Sequence, residues 1–387
     1  DRPRYGKTYI IPSTFDPRLI SVIPAAVAEA AMKSGAARKK IQDLELYKDQ
    51  LSNRLDPSMS IMQGINAKVR KNPKRVIFAE GEDENMLKAA IEFGRNKLGI
   101  PILIGAENRV KEQLKKIGLD ENYKIEIVNS TDKEKRDKYV KHLYKKLQRE
   151  GQLERDVDRL VRNDRIAWGS SMIACKDADA MVTGNIRHYA ASIEKLKKVV
   201  SARPGEEIFG MTMIVSKGKT ILVADTNVTE LPSAERLVSI SKSCVRIARL
   251  FGFEPKVAFL SHSTFGKPLS RNTRHVRDAI EKLKKEKVDF DFDGEMQPDV
   301  ALNPTYKEIY PFSKIVGSAN VLIMPALHSA AISTKLMKVF GGGKNIGPLL
   351  IGLGQPIEVA PLRASTSEIL NLASIAAYSS DVIDYSN

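Results

Sequence analysis

From Asn72 onward, short apolar runs alternate with stretches whose apolar residues recur every three or four positions. KRVIFAEG reads as a buried strand, DENMLKAAIEFGRNKLG as an amphipathic helix with Asp83 as its cap, and IPILIG as the next strand. VKEQLKKIGL is then helical and YKIEIVNS extended. Parallel strands need a crossover between them, and the crossover helices cover the sheet faces. A repeated strand-helix-strand order therefore predicts an α/β fold built on a doubly wound, mostly parallel sheet.

The middle of the chain breaks this rhythm. A charged helical region runs from Asp132 to about Ile173, and DADAMVTGN is a strand that ends on Gly184. RHYAASIEKLKKVV is a basic helix, whereas FGMTMIV and TILVADTNV alternate around the turn SKGK and read as a hairpin. A mixed sheet, and with it a second α/β domain, is expected here. PSAERLVSISKSCVRIARLFG is helical, and EPKVAFLSHSTFG and ANVLIMPAL are strands that run into polar loops.

Before Asn72 there is no strand. A turn at Asp16-Pro17 leads into a helix from about Ile23 to Ser34, closed near Gly35. Such a helix cannot bury its own apolar face, so it is expected to end a domain that lies upstream. The apolar residues are interrupted by Asp16, Pro17 and Arg18, so the stretch is not expected to be a signal peptide.

Composition narrows the class of function. Among the 387 residues 42% are hydrophobic and 28% charged, ordinary values for a globular protein, and no run reaches the ~18 apolar residues of a membrane span. The net charge of +15 is spread over helix faces with acids interleaved and is accompanied by no nucleic-acid-binding signature. Neither a nucleic-acid nor a membrane partner is expected, while an anionic small ligand fits the charge. Cys175 and Cys244 are far apart, and the five histidines are dispersed, so no metal site and no Ser-His-Asp triad is expected.

In open α/β sheets ligands bind at the carboxyl ends of the strands. Thr183, Gly184, Asn185 and Arg187 follow one strand, and Ser261, His262, Ser263, Thr264 and Gly266 follow another. Hydroxyls, backbone N–H groups and an arginine are what phosphate or a carbonyl oxygen needs. DFDGEMQPDVAL concentrates Asp293, Glu295 and Asp299, read here as a solvated turn with one buried acid. GxGxxG is absent, and GGGKNIG lacks the GK[ST] ending of a phosphate loop.

FAEGEDENMLKAA, DADAMVTGN, ADTNVTELPSAERL, VAFLSHSTFG, DFDGEMQPDVALNP, ANVLIMPAL and NIGPLLIGLGQP occur in the order found in the phosphate acetyltransferase/butyryltransferase family, which the chain resembles from Ser58 to Ser380. YIIPSTFDPRLISVIPAAVAEAAMKSGAA resembles the end of the catalytic part of the large hybrid bacterial NADP-dependent malic enzymes, in which a malic enzyme is fused to such a domain. The resemblance implies two α/β domains with a cleft between them that takes acetyl-CoA or CoA together with phosphate or acetyl phosphate. It implies residues 1–56 as malic enzyme remnant and linker, residues 57–170 plus 346–387 as the first domain, and residues 171–345 as the second. Thr183, Asn185, Arg187, Ser263, Thr264 and Arg363 are the implied ligand contacts, and Asp293 and Glu295 the cleft acids. No cofactor is implied in this part, whereas NADP and a divalent metal belong to the malic enzyme part, which converts malate to pyruvate. A cytoplasmic homodimer or larger homo-oligomer follows from the same resemblance.

Active members of the family carry a stretch resembling LSRGCSxEDI, in which the serine, the arginine and the final aspartate do the chemistry. Here the text is APLRASTSEIL. Anchored on Ile369, Glu368 takes the aspartate position, Leu362 the arginine and Pro361 the serine. Slid by one, Arg363 meets the arginine and Leu362 the serine. Neither register restores the hydroxyl, so the resemblance implies a domain that binds acetyl-CoA or a related acyl-CoA and controls the attached malic enzyme, with Glu368 as the remaining catalytic candidate. The alternatives are an active transacetylase, in which Ser365 or Ser367 replaces the lost serine, and a structural oligomerisation module.

Overall fold

The computed structural model describes residues 19–41, 43–44, 47, 51, 57–119, 124–216, 219–269, 271–341 and 344–385. Eleven strands form two sheets among the described residues. The first contains β1 (Lys74–Phe78), β2 (Gly99–Ile104), β3 (Glu126–Val128), β4 (Ala180–Gly184) and β11 (Ile357–Ala360), in the order β11-β4-β1-β2-β3. Every pairing in it is parallel. The chain thus leaves β1 toward β2 and β3 and later returns to β4 on the opposite side of β1, which makes the β1/β4 boundary the topological switch point.

The second sheet contains β5 (Phe209–Ser216), β6 (Lys219–Ala224), β7 (Lys256–Leu260), β8 (Asp291–Met296), β9 (Val321–Ile323) and β10 (Lys344–Ile351), in the order β10-β5-β6-β9-β7-β8. β5 pairs antiparallel with both β6 and β10, and the remaining pairs are parallel, so the expected mixed sheet is present. β5 and β6 form the expected hairpin, whose turn at residues 217–218 lies outside the described residues, as does the Asp16-Pro17 turn.

Local sequence explains the elements that frame the site. Asp83 caps the helix Glu84–Arg95 by accepting a hydrogen bond from Met86 N–H at 3.0 Å, a contact whose removal typically costs about 1 kcal/mol. The buried face of that helix includes Met86, Leu87, Ala90 and Phe93, and Phe93 meets Phe78 of β1 edge to face at 5.8 Å. On the other side of the sheet Trp168 packs edge-on against Tyr139 at 5.0 Å. The expected helical stretch 132–173 resolves into three helices, Lys133–Leu147, Glu154–Asn163 and Arg165–Ala174, because Gly151 and Asp164 interrupt it.

One apolar core joins the sheets. It runs from Val76 and Phe78 through Ile369, Leu372, Ala373 and Ala376 of the C-terminal helix Thr366–Val382 to Phe209, Met211 and Met213 of β5. Sheet membership changes between Gly184 and Phe209 and again between Ile351 and Ile357. The sequence-based limits at 171 and 346 therefore fall inside the helix Arg165–Ala174 and inside β10, because β4 pairs with β1 and β10 with β5. DFDGEM is a strand rather than a solvated turn, with Asp293 and Glu295 both buried. Its pairing with β7 takes up the backbone that the density of acids had suggested was exposed.

Candidate functional site

The carboxyl edge of the first sheet gathers residues from three adjacent strands. β1 ends at Phe78, and two residues later Glu80 turns back to the end of β4. Its Oε1 accepts from the Thr183 hydroxyl at 3.0 Å and its Oε2 from Gly184 N–H at 2.9 Å. Gly184 has φ +109°, and a Cβ there would lie 2.4 Å from the Ala360 carbonyl oxygen, so only glycine lets β4 end this close to β11. Asn185 follows with φ 66° and donates from Nδ2 to Asp83 Oδ1 at 2.6 Å, which ties the loop to the cap of the first crossover helix. From β11 the chain reaches Arg363, φ 59°, whose N–H donates to the Asn185 carbonyl at 2.9 Å. Thr183, Asn185, Arg187 and Arg363, all singled out from the sequence, are thereby placed on one edge.

The electrostatics of this edge are unusual. Glu80 is 1% exposed, and burial pushes its carboxyl up to about 7, against the opposing charge of Arg187 and the two hydrogen bonds. The Arg187 guanidinium stands 3.6 Å from Glu80 Oε1 and, among the described residues, makes no hydrogen bond. Arg165 is instead committed to Glu82, 3.0 Å away, which also accepts from Ala106 N–H at 2.9 Å. Burial works to raise Glu82, but these partners outweigh it and hold it below the usual carboxylate range. The side-chain oxygen of Asn185 is buried without a hydrogen-bond partner. An arginine with unused donors and an unpaired acceptor stand at the switch point, the combination that recognises a ligand carrying both phosphate and hydroxyl or amide groups.

The carboxyl edge of the second sheet holds the other sequence candidates in a closed network. Glu295 is 2% exposed, and its Oε1 accepts from the Ser263 hydroxyl and from Gly266 N–H, both at 3.0 Å, with Arg277 3.4 Å away. Ser261 and Ser263 hydroxyls are 3.0 Å apart, and Thr264 Oγ1 accepts from Gln297 N–H at 3.2 Å. Asp293 takes Gly294 N–H and, at 2.7 Å, Lys314 N–H. Asp225, after β6, accepts from the N–H groups of Gly210, Asn227, Val228 and Thr229. These carboxylates hold loops.

Glu368 is the third position of the C-terminal helix and forms a capping box with Ser365. Its Oε2 accepts from Ser365 N–H and from the Ser365 hydroxyl, both at 2.9 Å, and its Oε1 lies 3.0 Å from Lys338 Nζ. Burial works to raise this carboxyl, but the three partners bring it below the usual range. A base so engaged is weak. Ser365 and Ser367 stand 3.3 Å apart beside a groove of ≈ 660 Å³ that Met62, Asn66, Lys338 and Asn345 also line.

Two residues of this edge were not singled out as site candidates from the sequence. Glu80 was visible only as part of a strand ending, and Asp83 only as a helix cap; an acid directly after the first buried strand, at the predicted switch point, is the signal that singles Glu80 out. No group of three or more His, Cys, Asp or Glu residues among those described is placed to hold a metal ion, and no described helix is long and apolar enough to cross a membrane.

The family model for phosphate acetyl/butaryl transferase matches residues 60–377. Over 379 residues the chain is 46% identical to an NADP-dependent malic enzyme from Rhizobium meliloti, an alignment covering 98% of this chain and 50% of that protein. The chain thus spans about half the length of the malic enzymes it matches, an NADP-dependent one from Escherichia coli included, at 35% identity over 96% of this chain and 50% of that protein. A phosphate acetyltransferase from Clostridium acetobutylicum is 29% identical over 82% of this chain and 97% of its own length. Among solved structures, a phosphotransacetylase from Streptococcus pyogenes superposes with a TM-score of 0.78 at 28% identity, covering 84% of this chain and 98% of that one. One from Staphylococcus aureus gives 0.75 at 26% identity over 83% and 98%. Two sheets of the expected topology, a polar edge at the switch point and a family model that spans most of the chain lead to one conclusion: this chain belongs to the phosphate acetyl/butaryl transferase family.

Proposed function

We propose that this chain is the acyl-CoA-sensing domain of an NADP-dependent malic enzyme: it binds acetyl-CoA or a related acyl-CoA in a cleft between its two α/β parts, and its occupancy regulates oxidative decarboxylation of malate by the attached enzyme. Transacetylase chemistry is weak or absent in this proposal. Thr183, Asn185, Arg187, Ser263, Thr264 and Arg363 are the proposed ligand contacts. Arg187 and Arg363 face the phosphates of the coenzyme, with phosphate or acetyl phosphate as further ligands. NADP and the divalent metal belong to the malic enzyme part, and the assembly is a cytoplasmic homodimer or larger homo-oligomer.

The observation that carries the proposal is the engagement of Glu368. Acyl transfer between a thiol and phosphate needs a base for the thiol and donors for the developing oxyanion. Here the only acid in PLRASTSEI is bound in a capping box and to Lys338, and Pro361 and Leu362 offer no hydroxyl. The malic enzyme context is supported by the relatives, of which the chain covers half, and by the helix Leu19–Lys33, which leaves Val22, Ile23 and Val27 more than half exposed.

A second reading, an active phosphate acetyltransferase, is favoured by the near-complete coverage of the Clostridium enzyme and by Ser365 and Ser367 next to the groove. An assay that follows acetyl phosphate formation from acetyl-CoA and phosphate separates the two. Turnover near background, unchanged by Ser365→Ala or Ser367→Ala, is expected. Robust turnover abolished by either substitution contradicts the sensing proposal, since losing one oxyanion donor costs roughly 100- to 1,000-fold.

A further inference from the structure

We propose that anion binding at the carboxyl edge of the first sheet is coupled to protonation of Glu80: the incoming anion draws the Arg187 guanidinium away from the Glu80 carboxylate, which then takes a proton from solvent. This rests on the anion-binding role of Arg187 proposed above and adds a proton to it.

The geometry supplies each part. Glu80 is 1% exposed and keeps two hydrogen bonds, from Thr183 Oγ1 and Gly184 N–H, that do not depend on Arg187. Arg187 is its nearest cation, at 3.6 Å, with a side chain that is 25% exposed and makes no hydrogen bond among the described residues. A guanidinium that reaches solvent with its donors unused can turn to a tetrahedral anion, which offers short, charge-assisted bonds in place of a loose ion contact.

No neighbour can replace it. Among the described residues, the charged groups that act on Glu80 are Arg187 and Arg165, the latter from the helix Arg165–Ala174, while Glu82 and Asp83 stand in its own loop. Arg165 is held by Glu82 at 3.0 Å, Glu82 also takes Ala106 N–H, and Asp83 is occupied by Met86 N–H and Asn185 Nδ2. A buried carboxylate that loses its cation is strongly disfavoured in ionised form. With Arg187 in place, burial already pushes Glu80 up to about 7, and withdrawal of the positive charge moves it higher. At mildly alkaline pH, Glu80 is therefore ionised before anion binding and protonated after it. Charge and atoms balance: the guanidinium stays charged, one carboxylate becomes a carboxylic acid, and solvent or buffer gives the proton. By linkage, anion affinity falls as pH rises above the free-state value of about 7, until Glu80 is ionised in both states.

The test is calorimetric titration of the whole chain with sodium sulfate, an anion that does not itself titrate near neutrality, in two buffers of different ionisation enthalpy. At about pH 8 the wild type is expected to take up most of one proton per sulfate, and at about pH 5, where Glu80 is protonated throughout, almost none. Glu80→Gln is expected to bind sulfate more tightly at the higher pH and to take up none. Sulfate binding without proton uptake, or uptake that persists in Glu80→Gln, overturns this inference and leaves the anion role of Arg187 standing. No sulfate binding, together with acetyl-CoA affinity unchanged in Arg187→Gln, overturns both. Should Glu80→Gln fail to fold, urea unfolding of Arg187→Gln across pH gives the second arm. Its loss of stability with rising pH is expected to continue to higher pH than in the wild type, and an unshifted profile overturns the coupling.

Discussion

Glu80 and Glu295 are the same residue in almost the same place, a buried glutamate just beyond or at the carboxyl end of a strand, one in each sheet. Both accept from a hydroxyl and from a glycine N–H, and both have an arginine within 4 Å. They differ in how the arginine is held. Arg277 also donates to Thr273 Oγ1 at 3.0 Å, on the helix start beside it, and meets Glu295 within hydrogen-bond reach. Arg187 makes no hydrogen bond among the described residues, and its side chain is 25% exposed. A carboxylate whose cation is fixed serves as a rivet for its loops. One whose cation is loose is a group that ligand binding can change.

That contrast makes the largest expected effect a structural one on the second sheet. Glu295→Ala removes the buried acceptor of the Ser263 hydroxyl and the Gly266 N–H and the carboxylate that faces Arg277, and is expected to lower unfolding free energy by roughly 3–5 kcal/mol in urea titrations, with acetyl-CoA affinity lost only through unfolding. A stable Glu295→Ala protein that no longer binds acetyl-CoA would break the comparison, since Glu295 would then serve binding directly rather than only fastening the loop that carries Ser263 and Thr264.

Glu80 acts on stability through pH. Its folded-state value of about 7 lies above the ordinary 4.5, so the folded protein holds a proton that the unfolded chain has lost between these values, and stability falls as pH rises across that window. Integrated, the loss is roughly 3 kcal/mol. Glu358, buried and, among the described residues, accepting one hydrogen bond from Leu350 N–H at 2.9 Å, is pushed up to about 8 by burial and extends the decline. In Glu80→Gln the urea midpoint is expected to fall less between about pH 4.5 and 7 than in the wild type. An identical slope in the two proteins would mean that Glu80 is not the buried acid described here.

A smaller effect concerns Ser365. Loss of its hydroxyl removes one half of the capping box and is expected to cost about 1 kcal/mol, read as a lower melting temperature, with acetyl-CoA affinity retained. A several-fold loss of that affinity without a change in melting temperature would move Ser365 from the helix cap into the binding site.

Most of the first sheet was legible in the sequence because its strands are buried on both faces and separated by capped helices, patterns that a period of apolar residues records directly. Asp83 was read as a cap and is one. DFDGEM was misread because its acids alternate with apolar residues on a strand that buries Asp293 and Glu295 by giving them backbone partners from distant loops, which no local pattern reveals. The loops at this edge were legible as strand endings, and the structure places Thr183, Asn185, Arg187 and Arg363 there together. Glu80 was not, because its importance comes from partners on β4 that lie more than a hundred positions away in sequence. Glu368 shows the converse: the segment marked it as a base, while the helix that begins there uses it as a cap.

The most direct test of the sensing proposal is calorimetric titration of the chain with acetyl-CoA in wild type and Arg187→Gln, at low and at high salt. Saturable binding is expected in the wild type, weaker in Arg187→Gln, with the difference between the two shrinking as salt screens the arginine. A melting temperature raised by the ligand should accompany it, about 2.7 kcal/mol of added stability at a hundredfold excess over Kd. No heat and no change in melting temperature at millimolar acetyl-CoA would contradict the proposal and leave the domain a structural module.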